Sequence, residues 1–314
     1  MLVEKLMKDV FVDFIRENLQ KDERIMIIDA DLAKCIGSYP LEKEFPDRAL
    51  NVGISEQNMA SVAAGLASYG FIPFITSFGP FATRRICDQI MISICYARQN
   101  VKIVGTDPGI SAELNGGTHM ALEDIGVLRS IPHIVIYEPT DNVEFAAMLP
   151  QIRDHVGPVY IRMFRKCPPP VYKEDEKGFD LFKAKVYKEG KDVSLIASGL
   201  MVSTAIEAAG LLEKEGISAE VIVCPTIKPI DAATVIASAK KTRAVVTCEN
   251  HNVMGALRSA VAEVLSEECP TVLQSVGVKE QFGEVGKINY LRKVFHMEAA
   301  DIVAAAKKAI TQKI

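Results

Sequence analysis

Five short apolar runs, each followed by a helical pattern, restrict the first half of this chain to an alternating α/β architecture. The runs lie at 25–29 (IMIID), 71–76 (FIPFIT), 101–106 (VKIVGT), 133–139 (HIVIYEP) and 159–163 (VYIRM). Each has the length of a buried strand and is too short for a core helix. Between them, apolar residues recur at helical spacing from Ser55, from Pro80 to about Arg98, after Leu122 and from Asp141. Pro80 suits the first turn of a long helix. Strand–helix–strand order predicts a mostly parallel sheet covered by helices on both faces.

Residues 166–190 (KCPPPVYKEDEKGFDLFKAKVYKEG) interrupt this alternation. Three consecutive prolines and a charge-rich stretch predict an interdomain linker. Alternation then resumes with strands at VSLIAS, AEVIVC, AVVTCE and TVLQSV, and a helix over Val202–Glu215. The expected fold is therefore α/β, with two domains at 1–168 and 191–314 and a linker at 169–190. Each domain carries a mostly parallel sheet covered by helices.

Of the 314 residues, 49% are hydrophobic, which is enough for a large core and argues against disorder. The net charge of −4 argues against a nucleic-acid or membrane partner held by bulk charge. The seven cysteines form no Cys-x-x-Cys pair, and the histidines lack metal-ligand spacing. They read as reduced thiols of a cytoplasmic protein rather than a disulfide or zinc framework, and no metal site is expected in this chain. The amphipathic N-terminus lacks a signal-peptide core, and no run approaches membrane-span length.

Five segments contain the side chains that chemistry needs. In NVGISEQNMASVAAGLASYG (51–70), Ser55 can cap a helix whose first turn holds a lone acid, Glu56. The rest of that helix is small and apolar nearly all round, so it is expected to be buried. A carboxylate at its mouth needs a proton or a partner. In ITSFGPFATRR (75–85), Phe78 and Phe81 flank a Gly-Pro turn at a strand end, where α/β folds place ligands; spacing alone equally suits core aromatics. DPGISAELNGGTHMALED (107–124) reads as a glycine-rich loop with one histidine, His119, and Asn115 before it. Arg162 and Arg165 close the last strand of the first domain, and Asp31 ends the first strand. Surface arginines and a helix-capping aspartate are the plain alternatives.

These segments resemble the transketolase family of thiamine diphosphate enzymes. The resemblance covers the whole chain, but only the second part of a full-length enzyme. It implies a pyrimidine-binding domain followed by a transketolase C-terminal domain. It further implies that Glu56 hydrogen-bonds a ring nitrogen of the cofactor's aminopyrimidine, that Phe81 stacks on that ring with Phe78 beside it, and that Asp31 lies near the cofactor. His119 takes the place of the histidine that contacts the donor sugar, and Arg162 or Arg165 that of the arginine on the substrate phosphate. Relatives bind the diphosphate through Mg²⁺ (or Ca²⁺) at Gly-Asp-Gly on a separate domain. This chain has no Gly-Asp-Gly, so the metal would belong mainly to a partner. The expected assembly is a heterotetramer of two such chains with two N-terminal transketolase subunits, transferring a two-carbon ketol unit between sugar phosphates.

Two departures stand out. Asn115 replaces the usual Asp of the loop, and Met7-Lys8 matches weakly the Thr-Arg pair that relatives carry in the first helix. Asn keeps hydrogen bonding but loses the charge, which points to a donor or acceptor other than the standard pentose phosphates. The competing readings are the β subunit of a 2-oxo-acid dehydrogenase, a deoxyxylulose-phosphate synthase, and a non-catalytic assembly subunit. The ENHNVMGAL stretch (249–257) resembles a segment of the family's C-terminal domains; His251 in it reads as structural.

Overall fold

The computed structural model describes residues 1–313. The first domain is built on strands β1 (Ile25–Asp29), β2 (Ala49–Asn51), β3 (Ile72–Phe78), β4 (Lys102–Thr106), β5 (Val135–Tyr137) and β6 (Val159–Met163). They pair in parallel in the order β5-β6-β4-β3-β1-β2. Every residue of β1, β4, β5 and β6 is buried. That is why their sequences read as apolar runs rather than as alternation. The order reverses between β1 and β3, so a ligand crevice is expected outside the carboxyl ends of these two strands.

The second domain contains β7 (Lys185–Lys188), β8 (Val193–Ala197), β9 (Ala219–Val223), β11 (Ala244–Asn252) and β12 (Val272–Val278) in the order β12-β11-β8-β9-β7. All pairs are parallel except the edge pair β7–β9. β10 (Thr226–Lys228) leaves this domain and pairs antiparallel with β5, extending the first sheet to seven strands. No helix among the described residues is long and apolar enough to cross a membrane.

Three expectations change. The segment 80–98 is not one α-helix. It forms a turn, a short 3₁₀ helix over Arg84–Ile86 and π-helical turns over Gln89–Tyr96. The Thr83 hydroxyl bonds back to the Gly79 carbonyl at 2.7 Å, and Ile86, Ile90, Ile94 and Cys95 are buried. The wider winding lets these residues reach the core from a segment that starts at a sharp turn, and such turns recur at functional sites. The proposed linker is not free. Asp141 caps the Asn142–Asp154 helix with one carboxylate oxygen and accepts from Val171 and Tyr172 with the other. Gln151 holds Phe179 and Leu181, and residues 185–188 form β7. Third, the Glu56–Ser68 helix buries Glu56, Met59, Ala60, Ala63 and Ala64, while Gln57, Asn58, Ser61, Gly65 and Ser68 remain exposed. Its small residues lower side-chain bulk on both faces, but this chain covers only one of them.

Glu144, on the helix capped by Asp141, is buried against the Tyr137 hydroxyl, which donates to it at 3.0 Å. Burial pushes its carboxyl up to about 7. A carboxyl raised on folding stabilises the fold below its ordinary range and loses that contribution as pH rises through 7. Asp29 and Glu249, raised by burial to about 6 and about 8, act in the same direction. Lys102, lowered by burial to about 7, opposes them only above that pH, and His251, lowered by burial to about 4, only up to its ordinary value of 6.5, each one group against three. The melting temperature should therefore fall from pH 5 to pH 7.5. Glu144→Gln should reduce that fall by about 2–4 °C in thermal melts; an unchanged slope would refute the assignment.

Candidate active site

The singled-out side chains gather at the carboxyl ends of β1, β3, β4 and β6, around the switch point. Glu56 begins its helix just behind β2 and is 4% exposed. Arg85 reaches it from the 3₁₀ turn, with Nη1 donating to Oε1 at 2.7 Å. The same guanidinium lies over Phe81, its Cζ 3.8 Å from the ring centroid.

Phe78, Phe81 and His119 form a triangle of edge-to-face rings. Their centroids are 6.2 Å (Phe78–Phe81), 5.7 Å (Phe78–His119) and 5.3 Å (Phe81–His119) apart. This is favourable aromatic geometry. His119 Nδ1 lies 2.8 Å from the Thr118 hydroxyl. Arg84 clamps the loop beside it, donating to Glu123 at 2.5 Å and to the Thr118 carbonyl at 3.2 Å. Two adjacent arginines thus tie three segments: one holds the histidine loop, the other meets Glu56.

The histidine loop is also held by the second domain. Asn250 accepts from the Ile110 amide at 2.9 Å and donates to the Pro108 carbonyl at 3.0 Å. Glu113 pairs with Lys166 and accepts from the Ile288 amide at 3.1 Å. Gly117 lies against Gly283 so closely that a Cβ on Gly117 would strike the Gly283 carbonyl. Here glycine is required by close backbone approach. Asn115 sits exposed on the loop's outer rim.

Arg165 stacks on Phe78 at 5.0 Å, and its Nε donates to Asp107 at 2.6 Å. Its Nη1 and the Lys8 ammonium both donate to the Cys35 carbonyl at 3.4 Å, so two cations converge beside the aromatic triangle.

Arg162 departs from its expected place at a substrate phosphate. It is 1% exposed, and all three of its nitrogens donate inside the protein. Nε meets Asp124 at 2.7 Å, Nη1 meets Glu138 at 2.5 Å, and Nη2 serves Asp124, the Ala121 carbonyl and the Asn250 carbonyl. It ties β6 to the histidine loop's end and to the second domain. Burial would raise Asp124, but the adjacent Arg162 outweighs it and holds the carboxyl below its ordinary range. His251 is buried 3.7 Å from Asp124, and burial pushes it down to about 4, so it is neutral.

Asp31 is exposed with φ +64°, and its amide donates to Asn51 at 3.2 Å. It caps no helix; the short Ala33–Ile36 helix starts from Leu32. The buried acid of this strand end is Asp29, which accepts from Thr76 at 2.8 Å and so bridges β1 and β3. Sequence reasoning missed Asp29 and Arg85. The acidic spacing of DAD signalled a choice between two carboxyls, but nothing separates Arg85 from Arg84. All seven cysteines are free thiols. No group of three or more His, Cys, Asp or Glu side chains that could hold a metal lies among the described residues.

A buried carboxylate, a cluster of aromatic rings and a histidine loop braced by a second α/β domain thus meet at the strand ends of a two-domain α/β chain. Residues 4–169 match the pyrimidine-binding domain of transketolase, and residues 182–302 match the transketolase C-terminal domain. The chain belongs to the transketolase family. It is 48% identical over 312 residues to a 6-deoxy-6-sulfo-D-fructose transketolase subunit of Clostridium sp. (strain MSTE9), covering 99% of this chain and 97% of that one. It is 32% identical over 271 residues to an apulose-4-phosphate transketolase subunit of Phocaeicola vulgatus, covering 86% of each. Among solved structures it is similar to a split-gene transketolase described as an inactive β4 tetramer. The TM-score is 0.89 at 41% identity, over 98% of this chain and 99% of that one.

Proposed function

We propose that this chain is the C-terminal half of a split, thiamine diphosphate-dependent transketolase, transferring a two-carbon ketol unit from a ketose to an aldose. One observation carries the reading. Glu56, buried, and Phe81 together already hold a flat, N–H-bearing cation, the Arg85 guanidinium. The pair therefore fits an aminopyrimidine, which needs a carboxylate at a ring nitrogen and an aromatic face.

When bound, thiamine diphosphate supplies the carbon nucleophile that takes up and releases the ketol unit. Glu56 shares a proton with the pyrimidine nitrogen in a pocket kept dry by the apolar face behind it. Phe81 would support the face of the ring, with Phe78 beside it. His119 moves a proton at the substrate oxygen or stabilises charge there, with Thr118 setting its orientation. Asp29 and Thr76 hold β1 and β3 in register beside the crevice. Arg165, with Lys8, is placed to attract the substrate's anionic end. A sulfonate and a phosphate share this chemistry, and relatives act on both kinds of sugar by their names. Asn115, uncharged on the rim, favours a donor other than the common pentose phosphates.

The partner reading rests on two features. The chain lacks the Gly-Asp-Gly diphosphate motif, and the open face of the Glu56 helix is flanked by exposed apolar residues. Ile54 and Tyr69 stand at its two ends and Met91, Ile92 and Tyr96 on the π-helical turns packed against it; all five are exposed, Tyr69 and Tyr96 to 87% and 83%. An apolar patch of this kind on a chain of ordinary charge marks an interface. Its place on the helix that Glu56 opens, and on the turns beside it, suits a second chain that brings the diphosphate and Mg²⁺ to the same strand ends, in an α2β2 assembly.

The test is co-expression with the neighbouring reading frame, followed by ketol-transfer assays with thiamine diphosphate, Mg²⁺ and a panel of phosphorylated and sulfonated ketoses. Transfer only when both chains are present is the expected result. A stable complex that binds the cofactor and transfers no ketol unit would overturn the transketolase reading.

A further inference from the structure

Arg85 makes both contacts that an aminopyrimidine needs. Its Nη1 is hydrogen-bonded to Glu56 at 2.7 Å, and its Cζ lies over the Phe81 ring, 3.8 Å from the centroid. A guanidinium is flat, carries N–H donors and stacks on aromatic rings, so it resembles the pyrimidine end of the cofactor in each respect that these two residues can sense. One ring face cannot serve both groups. Arg85 can leave: its side chain is 42% exposed and it stands on a single 3₁₀ turn at the protein surface. Glu56 cannot, being buried at the start of its helix.

We propose that Arg85 is a placeholder for the aminopyrimidine. It pairs the buried Glu56 carboxylate and covers Phe81, and swings into water when thiamine diphosphate enters. The inference rests on the site reading given above. Its physical rationale is that a buried carboxylate without a partner is costly. A chain that must fold before it meets its partner gains from supplying its own counter-ion. The consequence is competition. Cofactor affinity is reduced by the fraction of time the crevice is open, so an arginine seated nine tenths of the time weakens binding about tenfold.

Calorimetric titration of the co-purified two-chain complex with thiamine diphosphate and Mg²⁺ tests this directly. Arg85→Gln, which loses the charge and the cation–π contact, should lower the dissociation constant about tenfold relative to wild type. Arg85→Lys, which keeps the charge without the planar fork, should fall between the two and carries the test if the Gln variant fails to assemble. Equal or weaker binding by both variants would overturn the placeholder role while leaving the site reading intact. A wild-type complex that binds no cofactor, with variants that also bind none, would overturn the site reading and this inference together.

Discussion

Glu56→Gln is expected to lower ketol transfer by the assembled enzyme by roughly 10²–10⁴-fold, the usual contribution of a positioned proton-transfer group. The substitution keeps the volume and hydrogen-bonding capacity of the side chain and removes its ability to share a proton with the pyrimidine nitrogen. Assembly and folding should be unchanged, because the helix behind residue 56 is anchored by Met59, Ala60 and Ala63 rather than by the carboxylate. Steady-state kinetics on the co-purified complex, with sizing to verify assembly, decides the matter. Activity within threefold of wild type would remove Glu56 from the chemistry. The expected loss is in kcat with the substrate's KM little changed, since Glu56 is joined through Arg85 to Phe81 and not to the cation cluster at Arg165.

Arg162→Met is expected to destabilise the fold by about 3–5 kcal/mol, the range for removing one partner of a buried charge network. The arginine pairs with both Asp124 and Glu138, and both are buried. Without it, two carboxylates remain in the interior with only the Tyr160 and Ser198 hydroxyls to support them, at 2.7 and 2.6 Å. The Asn250 carbonyl also loses this donor and the Ala121 carbonyl keeps only the Gly109 amide, so the domain contact and the end of the histidine loop loosen together. Urea unfolding monitored by circular dichroism measures the loss. A change under 1 kcal/mol would show that the network contributes little. A substrate-phosphate role predicts the opposite pattern: normal stability and a raised KM.

Much of the architecture was legible in the amino-acid order. The runs IMIID, VKIVGT and VYIRM announced fully buried parallel strands because a strand covered on both faces has no polar side to show. The return of such runs after residue 190 announced the second sheet. The loci of the crevice were legible as well. Glu56 stood alone in an apolar helix, Phe78 and Phe81 flanked a turn after a strand, and His119 stood alone in a glycine-rich loop. The fold brings these together at one set of strand ends. Local pattern failed where long-range contact decides. The 80–98 segment is helical by periodicity, yet it winds as 3₁₀ and π turns because its first residues are bound to the end of β3. The 169–190 segment is linker by composition, yet Asp141 and Gln151 pin it. β10 carries no signal of belonging to the first sheet, since its partner β5 lies about ninety residues earlier in sequence.

Arginines show the limit most plainly. Four of them, Arg84, Arg85, Arg162 and Arg165, flank the crevice segments, and the order of residues alone gives each the same reading: an exposed cation near a strand end. The tertiary structure gives each a different task. Arg84 clamps the histidine loop, Arg85 covers Phe81 and meets Glu56, Arg162 is buried between carboxylates, and Arg165 joins Lys8 at the Cys35 carbonyl. Periodicity and composition determine which residues face a core, because burial of apolar surface repeats with the period of the backbone. They do not determine which carboxylate a long cationic side chain reaches. That depends on distances across the fold between residues far apart in the chain, and only packing sets those distances.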